Sequence, residues 1–203
     1  MPATGRTKQE IVSEFRSAGI LDSARKVFAK KGFVGATMDE IAAAAGLAKG
    51  TLYLYFESKR DVYLKTLQRG SAELLEQVRT SMQAADGTHA KMRALIAARA
   101  RYAEENRDFY TLYSTQFGNI AHPALLAKEF RSLQLKHAHT LEQALRKGVD
   151  RGEIGPVDVK ALAFTIQDMV RSLIGRRLLG LSKKSLEDDI EYLCNLIWIG
   201  IGR

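Results

Sequence analysis

The sequence predicts an all-α chain of about nine helices, and three observations carry that expectation. Only three of its 203 residues are proline. No stretch alternates apolar and polar residues as a half-buried strand does, whereas long segments repeat apolar residues at three- and four-residue spacing, as amphipathic helices do. Glycines and capping side chains punctuate those segments. The composition, 46% apolar and 27% charged, is ordinary for a globular protein, and the length allows one large domain or two small ones.

The first helix is expected to begin at Lys8, or at the latest at Ser17, and to run to Lys31. Ile20, Leu21, Ala24, Val27 and Phe28 form its inner face, and Gly32 stops it. Thr37 with Glu40 three positions on reads as a capping box opening a second helix, whose core residues are Ile41, Ala42 and Ala45. Gly46 makes a sharp turn that needs positive φ. A third short helix follows, anchored by Leu47, Leu52 and Phe56, and Ser58 with Asp61 caps a long fourth helix through Leu64, Leu67, Leu74, Leu75, Val78 and Met82. The sequence AADGTH (84–89) breaks the pattern, and helices are expected from Ala90 to Glu105 and from Arg107 to Phe117. Pro123 suits the first turn of a helix reaching Val149. After a turn at DRGEIGP (150–156), the last two helices span Asp158–Leu179 and Leu186–Ile201, the latter capped by Ser185 with Asp188.

The segment Thr37–Lys59, TMDEIAAAAGLAKGTLYLYFESK, therefore reads as a helix-turn-helix, a DNA-reading motif. Charge agrees with it. The chain carries a net charge of +8, and residues 1–65 hold +4 of it in about a third of the length. Thr37 can cap its helix, contact a phosphate, or both. Lys49, at the start of the third helix, is poorly placed for its own helix dipole and suits a phosphate or a guanine. Gly50 leaves room for the DNA backbone, and Thr51 can reach a base edge or a thymine methyl. Tyr53 and Tyr55 can offer hydroxyls to phosphates or pack as half-buried aromatics. Lys59 reads as a phosphate clamp, and Arg6, Lys8 and Arg16 form a basic arm or simply solvated charge.

Residues 20–63 resemble the TetR family of transcriptional regulators nearly without gaps. The features that carry the resemblance are the Leu21…Phe28…Gly32-Phe33 run, Thr37, Ile41-Ala42…Gly46, Lys49-Gly50-Thr51-Leu52-Tyr53, Tyr55-Phe56 and Ser58-Lys59. Residues 66–203 are similar to the family only in length and helical layout. The resemblance implies a DNA-binding domain over 1–65 and a ligand-binding and dimerisation domain over 66–203. It also implies a homodimer on a double-stranded, palindromic operator, with a small-molecule effector that releases it; a repressor is favoured over an activator. Ala48 departs from the family, which often has Ser or Thr there, and weakens that cap by about 1 kcal/mol. Leu54 departs where a polar or aromatic residue often reads DNA; it either touches a thymine methyl or packs on the fourth helix.

The last two helices offer more apolar surface than a small monomer readily covers. Ile166, Met169, Val170, Leu173, Leu193, Ile197 and Trp198 are the expected dimer interface, with an ordinary intrachain core as the other reading. Two apolar stripes are interrupted by polar residues: Leu126, Phe130, Leu133, Leu141 and Leu145 by His137, and Met92, Leu95, Ile96 and Ala103 by Arg99. With Tyr102, Tyr113 and Phe117 nearby in sequence, Arg99, Phe130 and His137 mark a candidate pocket for an amphipathic or acidic ligand. The alternative is a satisfied core histidine and a snorkelling or paired arginine.

No phosphate loop, His-Glu-x-x-His motif or nucleophile elbow occurs, and the four histidines lack ligand partners at convincing spacing. No catalytic residue, metal or cofactor is expected. The competing functions are a non-regulatory architectural DNA-binding protein and an all-helical enzyme without a recognisable motif. The single cysteine, Cys194, excludes an internal disulfide and fits a reducing cytoplasm. The opening MPATGRTKQE lacks a signal core, and the most apolar run, Leu193–Ile201, is too short to span a bilayer. The expected setting is cytoplasmic.

Overall fold

A computed structural model describes residues 7–118 and 127–202. Arg6, Pro123 and Leu126 lie outside them. The described chain forms α1 (Lys8–Gly35), α2 (Met38–Ala44), α3 (Lys49–Tyr53), α4 (Lys59–Gln83), α5 (Gly87–Glu105), α6 (Arg107–Gly118), α7 (Ala127–Asp150), α8 (Val159–Leu178) and α9 (Leu186–Ile201). The only β pairing among the described residues is an isolated bridge between Ile154 and Gly202. No helix among them is long and apolar enough to cross a membrane.

The helix ends follow the capping residues. Thr37 and Glu40 form the reciprocal box at α2, and the Ser185 hydroxyl accepts from the Asp188 amide at α9. Thr7 and Glu10 form a further box that starts α1 at Lys8, the earlier of the two expected starts. Gly32, at φ +68°, breaks the regular helix, and one more turn runs on to Gly35. α5 begins three residues before the expected Ala90. Its first amides are satisfied by Asp86, which accepts from Gly87 at 2.9 Å, and by the carboxylate of Glu153, which accepts from Thr88.

Two compact units arise. The first comprises α1–α3, α4 as far as Gly70, and α6. Its core holds Ile20, Leu21, Ala24, Phe28, Ile41, Leu52, Val62, Tyr63 and Leu67 from the first four helices, Phe56 from the α3–α4 connection, and Phe109, Leu112 and Tyr113 from α6. Phe28 meets Tyr63 edge-on at 4.8 Å, and Gln116 of α6 donates to the Tyr63 hydroxyl at 2.7 Å. Gly70 is needed for close approach: a Cβ there would lie 2.2 Å from the Phe109 ring.

The second unit comprises α4 from Ser71, then α5, α7, α8 and α9. α5 is its central helix, with every residue from Leu95 to Ala100 buried and α7, α8 and α9 packed on it. Its alanines let those neighbours close in. At its rim, Arg177 bridges Glu104 and Asp189, each at 2.7 Å, and Arg93 bridges Glu187 and Glu191.

Candidate nucleic-acid interface and buried polar core

The first site is built by the turn between α2 and α3. Gly46 takes φ +68°, and the Leu47 amide reaches back to the Ala42 carbonyl at 2.9 Å, so α3 leaves the turn at a fixed angle. Leu52 and Phe56 are buried behind α3. With its inner face fixed, α3 presents Lys49, Gly50, Tyr53 and Leu54 to solvent, while Thr51 and Tyr55 are half-buried at its edges. Leu54 is 82% exposed, which decides between its two readings: it does not pack on α4. Ala48 provides no side-chain cap, so the first amides of α3 carry no such partner.

Thr37 is exposed, and its hydroxyl is engaged in the capping box, accepting from the Glu40 amide at 3.2 Å. Lys49 pairs with Asp39 of α2 at 2.9 Å, and that hydrogen bond raises the lysine's pKa above its ordinary value. Both partners are more than half exposed, so solvent screens the pair and a phosphate can replace the carboxylate at little cost. Asp39, in the first turn of α2, is a participant that sequence reasoning missed.

Lys59, the expected phosphate clamp, has partners within the chain. Its ammonium donates to the carbonyls of Val34 (3.2 Å) and Ala36 (2.8 Å) and sits 4.8 Å from the centre of the Phe33 ring. Those bonds tie the start of α4 to the α1–α2 connection, so the ammonium is committed first to the chain's own backbone.

The second site lies in the core of the second unit. Arg99 of α5, His137 of α7, Gln167 of α8 and Ser71 of α4 are all buried polar residues there. Arg99 Nη1 donates to Gln167 Oε1 at 3.1 Å, and the Ser71 hydroxyl and His137 Nε2 are 2.7 Å apart. Burial, with a smaller contribution from the Arg99 charge, pushes His137 down to about 3. Tyr102 donates to Glu73 at 3.1 Å. Phe130 is half-buried on α7. Tyr113 is buried in the first unit beside Phe109 and Tyr110, and the Phe117 side chain lies outside the described residues. Gln167 and Ser71 were missed by sequence reasoning. Gln167 interrupts the buried stripe Ala163, Val170, Ile174, the same signal that exposed Arg99 and His137.

Neutral His137 has a consequence for stability. Its folded pKa is depressed below the unfolded value, so between the two the unfolded chain binds the extra proton and stability falls as pH drops from about 6.5 towards 3. The loss should approach about 1.4 kcal/mol per pH unit in that window. Chemical denaturation at neutral and at mildly acidic pH should show His137→Gln with a shallower dependence by about one proton; an unchanged slope would mean that His137 does not titrate in this way.

On the same unit an open cleft of about 230 Å³ is bordered by Arg79, Lys91, Lys147 and Arg151. Among the described residues no group of His, Cys, Asp and Glu is arranged to hold a metal ion.

The expected dimer residues need a correction. Ile166, Val170, Leu173, Leu193 and Ile197 are buried inside this single chain, and Met169 and Trp198 are half-buried. These stripes close the second unit's own core. The apolar residues that α9 leaves exposed are Tyr192, Leu196 and Ile199, at i, i+4 and i+7 on one face.

Comparison with known proteins accords with this geometry. Residues 20–66 match the model of the bacterial regulatory proteins of the tetR family, and residues 85–174 that of the tetracyclin repressor-like C-terminal domain. The HTH-type transcriptional activator FasR of Mycolicibacterium smegmatis is 34% identical over 112 residues, covering 55% of this chain and 51% of that protein, so the chain spans about half of that relative. The uncharacterized HTH-type transcriptional regulator YfiR of Bacillus subtilis is 30% identical over 149 residues, 70% of this chain and 69% of that protein. Among solved structures, the transcriptional regulator FadR of Bacillus subtilis in complex with stearoyl-CoA superposes with a TM-score of 0.80 at 20% identity, covering 89% of this chain and 96% of that one. A helix-turn-helix with its reading face exposed, joined to a helical C-terminal region that matches a second model of the same kind, leaves one assignment: the chain belongs to the TetR family of bacterial transcriptional regulators.

Proposed function

We propose that this regulator is a ligand-responsive repressor that binds a palindromic operator as a homodimer, with residues 1–65 reading DNA and residues 66–203 binding the effector and dimerising. The observation that carries the DNA half is α3 itself: Leu52 and Phe56 hold it from behind while Lys49, Gly50, Tyr53 and Leu54 face outward. Thr37 and Tyr55 flank that face and suit phosphates, and Thr51 suits a base edge. The exposed stripe Tyr192, Leu196 and Ile199 supports pairing through α9. An amphipathic effector suits a helical core that contains Arg99 and His137, and the fold accommodates such a molecule in FadR, which is bound to stearoyl-CoA. Binding would favour a spacing of the two α3 helices that no longer matches half-sites one turn apart. The relatives are regulators, which speaks against an enzyme; an architectural protein would bind most duplexes alike.

Footprinting on the upstream region of the protein's own gene should reveal a protected palindrome that an effector clears; uniform protection of unrelated duplexes would favour the architectural reading. Two lysine variants separate contact from positioning. Lys49→Met should flatten the log–log salt dependence by about 0.9 for each half-site, because one phosphate contact is lost. Lys59→Met should weaken binding while keeping that slope, because its ammonium holds backbone carbonyls. A slope change in Lys59→Met equal to that in Lys49→Met would restore Lys59 as a phosphate clamp.

A further inference from the structure

Arg99 is 5% exposed, yet no carboxylate pairs with it among the described residues. The other arginines that reach into the second unit are neutralised: Arg177 by Glu104 and Asp189, Arg93 by Glu187 and Glu191. Arg99, more deeply buried than either, has a single amide oxygen, that of Gln167. Its Nε carries no partner. The guanidinium has donors only, so the Gln167 amide must turn its oxygen towards Arg99. That leaves the Gln167 NH2 group, itself 4% exposed, also without a partner. Two unsatisfied donors and one uncompensated positive charge thus lie together between α5 and α8, a combination that folded cores avoid. A buried water could satisfy the donors, but it would leave the charge uncancelled.

We propose that Arg99 and Gln167 hold the carboxylate of an amphipathic acid, which is the effector of this regulator. The inference rests on the ligand-responsive reading given above. A carboxylate is planar, presents two oxygens to a guanidinium fork and carries the one negative charge that one arginine lacks. A phosphate dianion would leave excess negative charge in the core; the open cleft of Arg79, Lys91, Lys147 and Arg151 suits phosphates better. His137 supplies no counter-charge, since it is neutral. The rest of the acid must be apolar, because Ile96 and Ala103 of α5, Leu141 of α7, and Ala163 and Val170 of α8 are buried on the faces that carry Arg99, His137 and Gln167.

The test uses the full chain and a series of acids from octanoate to octadecanoate with phenylpropanoate, each beside its methyl ester and alcohol, and dodecanoyl-CoA as a phosphorylated, carboxylate-free head. Thermal shift and calorimetry read binding. At least one acid should bind about tenfold or more tightly than its ester and alcohol. Arg99→Met should abolish that preference, weakening the acid by about a hundredfold, while its own melting temperature without ligand stays level or rises, because an uncompensated buried charge has been removed. Gln167→Met, a milder change, should weaken the acid a few-fold and leave the ester untouched. Any of these results would overturn the proposal: no acid-over-ester preference anywhere in the series, a fall of several degrees in the unliganded melting temperature of Arg99→Met, or dodecanoyl-CoA binding tightly and equally to wild type and Arg99→Met. Operator release by a neutral molecule would sink the carboxylate and keep the regulator. Carboxylate binding without any operator footprint would do the reverse.

Discussion

Phe28→Ala is expected to destabilise the protein by about 4 kcal/mol and to abolish operator binding at temperatures where the wild type still binds. Phe28 is 2% exposed, lies edge-on to Tyr63 at 4.8 Å and has Phe33 stacked at 6.4 Å. Its removal forfeits the transfer term, the cavity left behind and an aromatic pair of about 1 kcal/mol. Because Tyr63 is also held through its hydroxyl by Gln116, the cavity cannot collapse without breaking that bond as well. Denaturant titration followed by circular dichroism measures the loss. A cost below about 1 kcal/mol would show that the α1 core repacks freely.

Arg177→Met is expected to cost about 3 kcal/mol at neutral pH. The guanidinium is 16% exposed between Glu104 (33%) and Asp189 (10%), and Asp189 also accepts from the Ser182 hydroxyl at 2.7 Å. Burial pushes the Asp189 carboxyl up, but Ser182 and Arg177 together hold it below its ordinary value. Its contribution is therefore present above the unfolded pKa and is lost as pH falls through the lower folded one. Without Arg177 a carboxylate is left in the interior with one hydroxyl. The penalty should shrink at acidic pH, where the carboxyl protonates, and Asp189→Asn should recover part of it at neutral pH. A double-mutant cycle by denaturant titration checks both; strictly additive losses would mean that the two side chains are not coupled.

The parts of the fold that were legible in the sequence are those fixed by local chemistry. Thr37 with Glu40, Gly46, and Ser185 with Asp188 determine their helix ends through bonds spanning three or four residues, and each end lies where those residues place it. The start of α5 was misplaced because part of its cap comes from afar: Glu153 reaches Thr88 across 65 residues. The partners of Lys59 also come from afar. Its position in the first turn of a helix is visible in the sequence, but the Val34 and Ala36 carbonyls that claim its ammonium come from the preceding hairpin of helices. The apolar stripes of α8 and α9 told that these faces are buried and not what buries them. Leu193 and Ile197 turn inward, and the exposed apolar residues of α9 are Tyr192, Leu196 and Ile199. Arg99 and His137 were found because a polar residue on an apolar stripe stands out; Gln167 carries the same signature, and only its place opposite Arg99 gave it meaning.

Cys194 is the chain's one thiol. It lies fully buried in α9, 3.5 Å from His89, and burial pushes it up to about 11. The thiolate is the reactive form, so an alkylating reagent meets it only when α9 lifts away and the sulfur returns to ordinary acidity. The protein thus carries its own clock for opening events in the second unit. The labelling rate counts those openings without an engineered probe, and any ligand that braces α5 against its neighbours will slow it in proportion to how rarely α9 then comes loose.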